Sequence, residues 1–153
     1  MPQEFQKPFA SPPAIFLVSL IIAIGIGLLW PWFILPWPVQ LVLGPLIIFA
    51  GVRLVLRSIK DIETAGTTYD PYGISTALVT TGVYRHSRNP GYLGVAAVQF
   101  GLAVLLDNVW ILVAGLVAAI VTTIFVIRLE ERKLSDSFGD TYADYKKRVR
   151  RWL

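Results

Sequence analysis

The chain has 153 residues, 55% of them hydrophobic and 16% charged, with five tryptophans and a formal net charge of +4. The lack of Cys excludes disulfides, thiolate chemistry and Cys-ligated metals, and a lone His, His86, gives no His cluster, so no metal site is expected. The excess of cations comes without any nucleic-acid-binding motif, so no nucleic-acid partner is expected either.

Between Lys7 and Arg53 there is no Asp, Glu, Lys, Arg or His, a run long enough for two crossings of a hydrocarbon core needing about 20 residues each. Proline divides it: the pattern predicts a first helix over 14–30, an interfacial turn from Pro31 to Pro38, and a second helix over 39–56. A signal peptide is rejected for the first span, because no small-residue cleavage site follows it and it leads directly into another apolar segment. The stretch from Arg57 to Gly73 extends the second helix and then breaks into a Gly/Pro loop, either a plain connector or a cover for a site. Residues 76–84 are too apolar for a solvated loop and too short to cross, so they should pack on headgroups or on a flat ligand. A third span over 90–106 and a fourth over 109–127 follow, joined by Asp107-Asn108. These segments are apolar all round, without the polar stripe of a water-soluble bundle. No internal repeat or low-complexity tract occurs.

Beyond the fourth span, Leu134, Phe138, Tyr142, Tyr145 and Val149 form an apolar stripe in a charged segment, which predicts an amphipathic helix lying on the membrane, with a bend at Phe138-Gly139. Tyr142 and Tyr145 read first as interface anchors, although Tyr145 can fold back over the corner described next. The fold class is therefore all-α: a polytopic membrane protein of about four spans in a single domain, 1–153. With an even number of spans every Lys and Arg falls on one side, which the positive-inside rule makes cytoplasmic, with Asp107 outside. Lys146-Lys147-Arg148 and Arg150-Arg151 would rest on anionic headgroups.

One polar corner stands out at that cytoplasmic face. Arg88-Asn89-Pro90 supplies a cation, an N-cap and a helix-starting proline, so the first N–H groups of the new helix face the same layer as Glu130-Glu131, and such a corner suits a zwitterion. Each part also has a plain reading: Arg88 and Arg128 as snorkelling arginines, Asn89-Pro90 as an ordinary helix start, and the two acids as a solvated cluster with Arg128, Arg132 and Lys133. Two carboxylates just past a span oppose the helix dipole and call for a compensating cation. Neighbours on a helix point about 100° apart, so Glu130 and Glu131 should do different jobs.

Taken together, Leu78-Val79-Thr80-Thr81-Gly82-Val83-Tyr84, Arg88-Asn89-Pro90-Gly91-Tyr92-Leu93-Gly94, Glu130-Glu131, and Phe138 to Tyr142 with Tyr145 to Val149 resemble the C-terminal region of the isoprenylcysteine carboxyl methyltransferase and phospholipid N-methyltransferase superfamily. The resemblance covers about Thr76 to Leu153. It implies S-adenosyl-L-methionine as cofactor, held on the cytosolic side, and a lipophilic small molecule or lipidated substrate arriving through the membrane. Carried over by motif, Thr76, Ala77, Leu78, Val79, Tyr84, Arg88, Asn89, Pro90, Gly91, Tyr92, Glu130 and Tyr145 would line the cofactor pocket, in which Leu78, Val79 and Val83 can sandwich an adenine. Arg128 would orient an anionic acceptor, and Glu131 is a candidate proton recipient for an amine acceptor. Two departures bear on the acceptor: Arg-Asn-Pro stands where the isoprenylcysteine branch has Arg-His-Pro, and a Thr replaces a His upstream of Leu78.

The expected function is thus an integral, multi-pass methyltransferase of a bacterial or archaeal cell membrane, transferring methyl to an isoprenylcysteine-like carboxylate or a phospholipid amine. Two rivals remain open from the sequence: a noncatalytic membrane protein that binds lipid or assembles through Gly25-Ile26-Gly27 and Gly44, and a membrane reductase similar to the sterol reductases. The oligomeric state is not readable from the sequence.

Overall fold

The computed structural model describes residues 11–67 and 77–153. Thr76 and the loop over 68–76 lie outside the described residues. Among the described residues there are five α-helices: α1 (Pro12–Leu29), α2 (Trp37–Thr64), α3 (Pro90–Leu105), α4 (Val109–Thr122) and α5 (Arg128–Arg148), with a 3-10 turn at Gly82–Arg85 and a π turn at Thr123–Ile127. No strand occurs among the described residues. Proline in the first turn starts α1, α2 and α3, where its missing N–H costs nothing and its fixed φ is already helical. At α4 the Asn108 side chain caps instead, accepting from the Trp110 and Ile111 amides.

Among the described residues, three helical runs are long and apolar enough to cross a membrane: α1, α2 and Val109–Arg148, in which α4 leads through the π turn into α5 and whose apolar part precedes the kink at Gly139. The third expected span, α3, has 16 residues; at 1.5 Å per residue it reaches about 24 Å, short of a hydrocarbon core of about 30 Å. Many large apolar side chains of α1, α2 and α4, among them Leu17, Ile21, Leu41, Phe49, Leu116 and Ile120, are exposed. For a chain in water that would be a severe cost, and for one in lipid it is the normal outer surface. The second helix runs on to Thr64, past the apolar boundary at Leu56, with Pro45 accommodated inside it.

α2 packs on α3, α1 on α4, and α3 also on α4 and α1. Small residues make the α2–α3 contact: a Cβ on Gly94 would lie 2.8 Å from the Gly51 carbonyl oxygen and 2.7 Å from a Val55 methyl, and one on Gly101 would lie 2.8 Å from the Ile48 amide nitrogen. Backbones approach this closely only where side chains are absent, and without a hydrophobic force between helices in lipid such packing supplies much of the association. At the end of the bundle opposite Glu130, buried Asp107 ties the two interhelical turns together, its carboxylate accepting from the Ile34 and Leu35 amides at 2.9–3.1 Å.

The C-terminal helix differs from the expectation in what its apolar stripe covers. α5 continues α4 without a break and then reverses direction at Gly139, whose φ of 50° and ψ of −124° are open to glycine. The returning half turns the stripe inward, so that Tyr142, Tyr145 and Val149 form a buried core with Leu134, Phe138 and Leu78 packed on it. Tyr142 and Tyr145 are thus core residues, 1% and 3% exposed, rather than membrane-interface anchors. The amphipathic face is satisfied by protein because the bend brings the 77–88 segment within reach.

Candidate functional site

The site is assembled from the start of α3, the start of α5 and the segment after α5. Below it, the Asp61 carboxylate at the end of α2 accepts from the Val83 amide at 2.9 Å and occupies the space a side chain at Gly82 would need. Gly82 has a φ of 60°, so glycine is required there on both counts. This sets the 3-10 turn that carries Tyr84, whose carbonyl accepts from the Tyr145 hydroxyl at 2.6 Å. Tyr145 does fold back as the sequence allowed.

The two adjacent carboxylates separate as helix geometry requires. Glu130 faces α3 and accepts from the Tyr92 hydroxyl at 2.6 Å. Burial pushes its carboxyl up from 4.5 to about 7, while the Tyr92 hydrogen bond and the charge of Lys133 hold it down. Glu131 points the other way. One oxygen receives Arg88 Nη1 at 2.8 Å and Arg151 Nε at 2.9 Å, and the other receives Arg151 Nη2 at 2.7 Å. Arg88 and Arg151 are its ion-pair partners among the described residues. The π turn sets this phase, because it inserts a residue between the apolar face of α4 and the pair.

Asn89 occupies the N-cap position of α3 with φ −131° and ψ 55°, but its side chain makes no capping bond. Its Nδ2 instead donates to the Arg151 carbonyl at 2.9 Å, while the Ser87 hydroxyl accepts from the Asn89 amide. The Arg88 amide donates to the Arg150 carbonyl at 3.0 Å. Residues 150 and 151 therefore lie along 87–89 as a strap, and Trp152 Nε1 anchors its far side on the Thr123 hydroxyl at 3.2 Å. Arg88 also donates to the Tyr142 hydroxyl at 3.4 Å, and its Nε is buried without a partner among the described residues. Burial raises the Tyr142 and Tyr145 phenols above their ordinary value, which keeps both neutral, Tyr142 accepting from Arg88 and Tyr145 donating to the Tyr84 carbonyl.

Of the residues singled out from the sequence, Arg88, Asn89, Tyr92, Glu130 and Glu131 converge on this corner, with Pro90 and Gly91 buried in the first turn of α3. Leu78 packs on the tyrosine core, and Ala77 and Val79 are half-buried beside it. Arg128 is exposed and opens with Arg132, Ser135, Lys146 and Arg151 on a neighbouring groove of about 470 Å³. Sequence reasoning missed Arg151, Tyr142 and Asp61. No local signal sets Arg151 apart from the basic residues around it, and only the reversal at Gly139 brings it to Glu131.

A phospholipid methyltransferase family model matches residues 39–141. The chain belongs to this family. It is 32% identical to methanethiol S-methyltransferase 1 of Bradyrhizobium diazoefficiens over an alignment covering 96% of this chain and 55% of that protein. It is 43% identical to protein-S-isoprenylcysteine O-methyltransferase of Mus musculus over 47% of this chain and 25% of that protein, and 40% identical to the Xenopus laevis enzyme over 49% and 26%. The chain thus spans between a quarter and about half of the length of these relatives. These relatives are named as O- and S-methyltransferases.

Proposed function

We propose that this chain is an S-adenosyl-L-methionine-dependent membrane methyltransferase with its site at the Tyr92–Glu130 corner, facing the cytoplasm. The observation that carries the reading is Glu130: a carboxyl facing the first turn of α3, held by the Tyr92 hydroxyl at 2.6 Å and raised by burial, in a family of methyltransferases. The residues suit the cofactor. A buried carboxylate is relieved by an ammonium group, the first-turn amides of α3 from Gly91 onward suit a carboxylate, and the tyrosines 84 and 92 offer rings to a sulfonium. When bound, the cofactor supplies an electrophilic methyl carbon on sulfur.

This chain's own part is binding, orientation and exclusion of water. Glu130 would hold the amine end, Tyr92 fixes Glu130, and the Tyr145–Tyr84 bond ties the 77–85 segment to α5 beside the corner. Leu78 and Val79 offer the apolar surface a nucleobase needs. The transfer needs no protein nucleophile, so rate would come from proximity and from a dry site. Glu131, held by two guanidinium groups, serves as a positioning residue for Arg88 and the strap and is poorly placed to take a proton from an amine. The acceptor is a lipophilic molecule entering from the membrane. The methyltransferase names of the relatives favour this over the reductase and the noncatalytic readings.

Calorimetry of the detergent-solubilised chain against S-adenosyl-L-methionine, its demethylated product and NADPH tests the reading. Binding of the first two is expected, weakened about 10- to 100-fold by Glu130→Gln, the effect of losing one charged hydrogen bond. Binding of NADPH alone, or of none of the three, would overturn it. A labelled-methyl assay on total lipid extract then identifies the acceptor.

A further inference from the structure

The groove beside Arg128 adjoins the corner just described and shares Glu131 and Arg151 with it. Its cations are Arg128, Arg132, Lys146 and Arg151, and its acids are Glu131 and Asp136. Glu131 is taken up by Arg88 and Arg151. That leaves three cations against one acid, and neither Arg128 nor Arg132 enters an ion pair among the described residues. The returning half of α5 brings Lys146 across the groove, where its Nζ lies 3.3 Å from the Ser135 hydroxyl and 5.0 Å from the Tyr142 ring centre. The groove is thus a basic concavity with one hydroxyl, bordered on one side by Lys146.

Its depth identifies the occupant. The apolar run of α4 and the π turn covers 109–127, which at 1.5 Å per residue is about 28 Å, so Arg128 sits where hydrocarbon gives way to headgroups. Leading to it on the same helix are Val113, Val117, Ile120 and Ile124, all exposed, at steps of four, three and four, and Arg128 and Arg132 continue at steps of four. One helix face therefore offers an apolar track as long as an acyl chain and, at its end, cations at phosphate depth. A soluble anion would use the cations and leave the track bare. A phospholipid uses both.

We infer that this groove binds the phosphate of an anionic glycerophospholipid, with an acyl chain laid along Val113, Val117, Ile120 and Ile124, as a bound lipid separate from the methyl acceptor. The inference does not depend on the cofactor assignment. It is tested on the full chain in detergent by native mass spectrometry with added phosphatidylglycerol, with phosphatidylcholine and with inorganic phosphate as competitor. Phosphatidylglycerol should bind preferentially, and Arg128→Gln with Arg132→Gln together should weaken it about 30-fold, equivalent to about 2 kcal/mol at about one per cation near the surface. Lys147→Gln, on the outer side of α5, should leave binding unchanged, and circular dichroism should show all variants equally helical. Equal retention of phosphatidylcholine, or unchanged phosphatidylglycerol binding in the double variant, would overturn the site. Inorganic phosphate displacing the lipid at the lipid's own affinity would overturn the lipid assignment in favour of a soluble anion.

Discussion

Replacing Glu131 by Gln should destabilise the protein far more than its position at a helix surface suggests. The carboxylate receives two hydrogen bonds from Arg151, of 2.7 and 2.9 Å, and pairs with the Arg88 guanidinium at 2.8 Å, and its side chain is 14% exposed. Arg151, 34% exposed, can turn to water when the charge is lost, but Arg88 is 11% exposed and cannot. Its Nε already lacks a partner among the described residues, and its remaining side-chain contact is the Tyr142 hydroxyl at 3.4 Å. The variant also puts an amide NH₂ or a single carbonyl oxygen where two guanidinium groups converge. Stranding one largely buried cation costs about 3 kcal/mol. For a chain of this size that corresponds to a fall of roughly 6–12 °C in Tm. The assay is thermal unfolding in detergent followed by far-ultraviolet circular dichroism. Lys147→Gln serves as comparator, because Lys147 and Asp144 are 76% and 65% exposed and such a pair contributes at most about 1 kcal/mol. Arg88→Gln combined with Glu131→Gln should recover part of the loss, since the stranded charge is gone. Equal shifts for Glu131→Gln and Lys147→Gln, or strict additivity of the double variant, would refute the reasoning.

Glu130 should behave in the opposite sense: its folded-state pKa of about 7 lies above the ordinary 4.5, so its contribution to stability is present below about pH 4.5 and lost as pH rises through 7. The Tm of the native chain should therefore fall relative to Glu130→Gln between pH 5 and 8, and a pH-independent difference would refute the burial. By the same sign, affinity for a cationic ligand at this carboxylate should rise with pH up to about 7 and then level off, read by calorimetry at stepped pH. Gly94→Val places a Cβ 2.8 Å from the Gly51 carbonyl oxygen, so it should part α2 from α3 at a cost of more than about 2 kcal/mol, whereas Gly25→Ala, with nothing within 4 Å, should be nearly silent in the same melt. For orientation, single cysteines at Lys60 and Arg150 should react only from the cytoplasmic side and one at exposed Trp32 only from outside. Labelling of position 60 or 150 from outside would invert the proposed placement of the site.

Much of the architecture was legible because its causes are local. An uncharged run from Pro8 to Val52 is apolar whatever surrounds it, and proline starts a helix by its own ring geometry, so α1, α2 and α3 begin within two residues of the expected positions. The family resemblance was legible for the same reason: its motifs are short and contiguous. The reach of α2 to Thr64 and the continuity of α4 into α5 were less so, since neither hydropathy nor charge marks a helix that leaves the membrane and keeps going.

What the sequence alone determined, then, is the set of apolar helices, the confinement of Lys and Arg to the segments outside the apolar runs, and the adjacency of two carboxylates that cannot face the same way. Only the tertiary structure decided which way each one faces. The π turn at Thr123–Ile127 sets the phase that gives Glu130 to Tyr92 and Glu131 to Arg88. The left-handed Gly139 returns the chain so that Arg151, 20 residues on, completes the pair, and so that Tyr142 and Tyr145 are buried rather than wet. Asp61 and Asp107 acquire their roles from amides 22 and more than 70 residues away. Hydropathy and capping act within a few residues and can be read along the chain. Pairing across a reversal depends on helix phase and on which segments close against one another, and those are properties of the packed molecule.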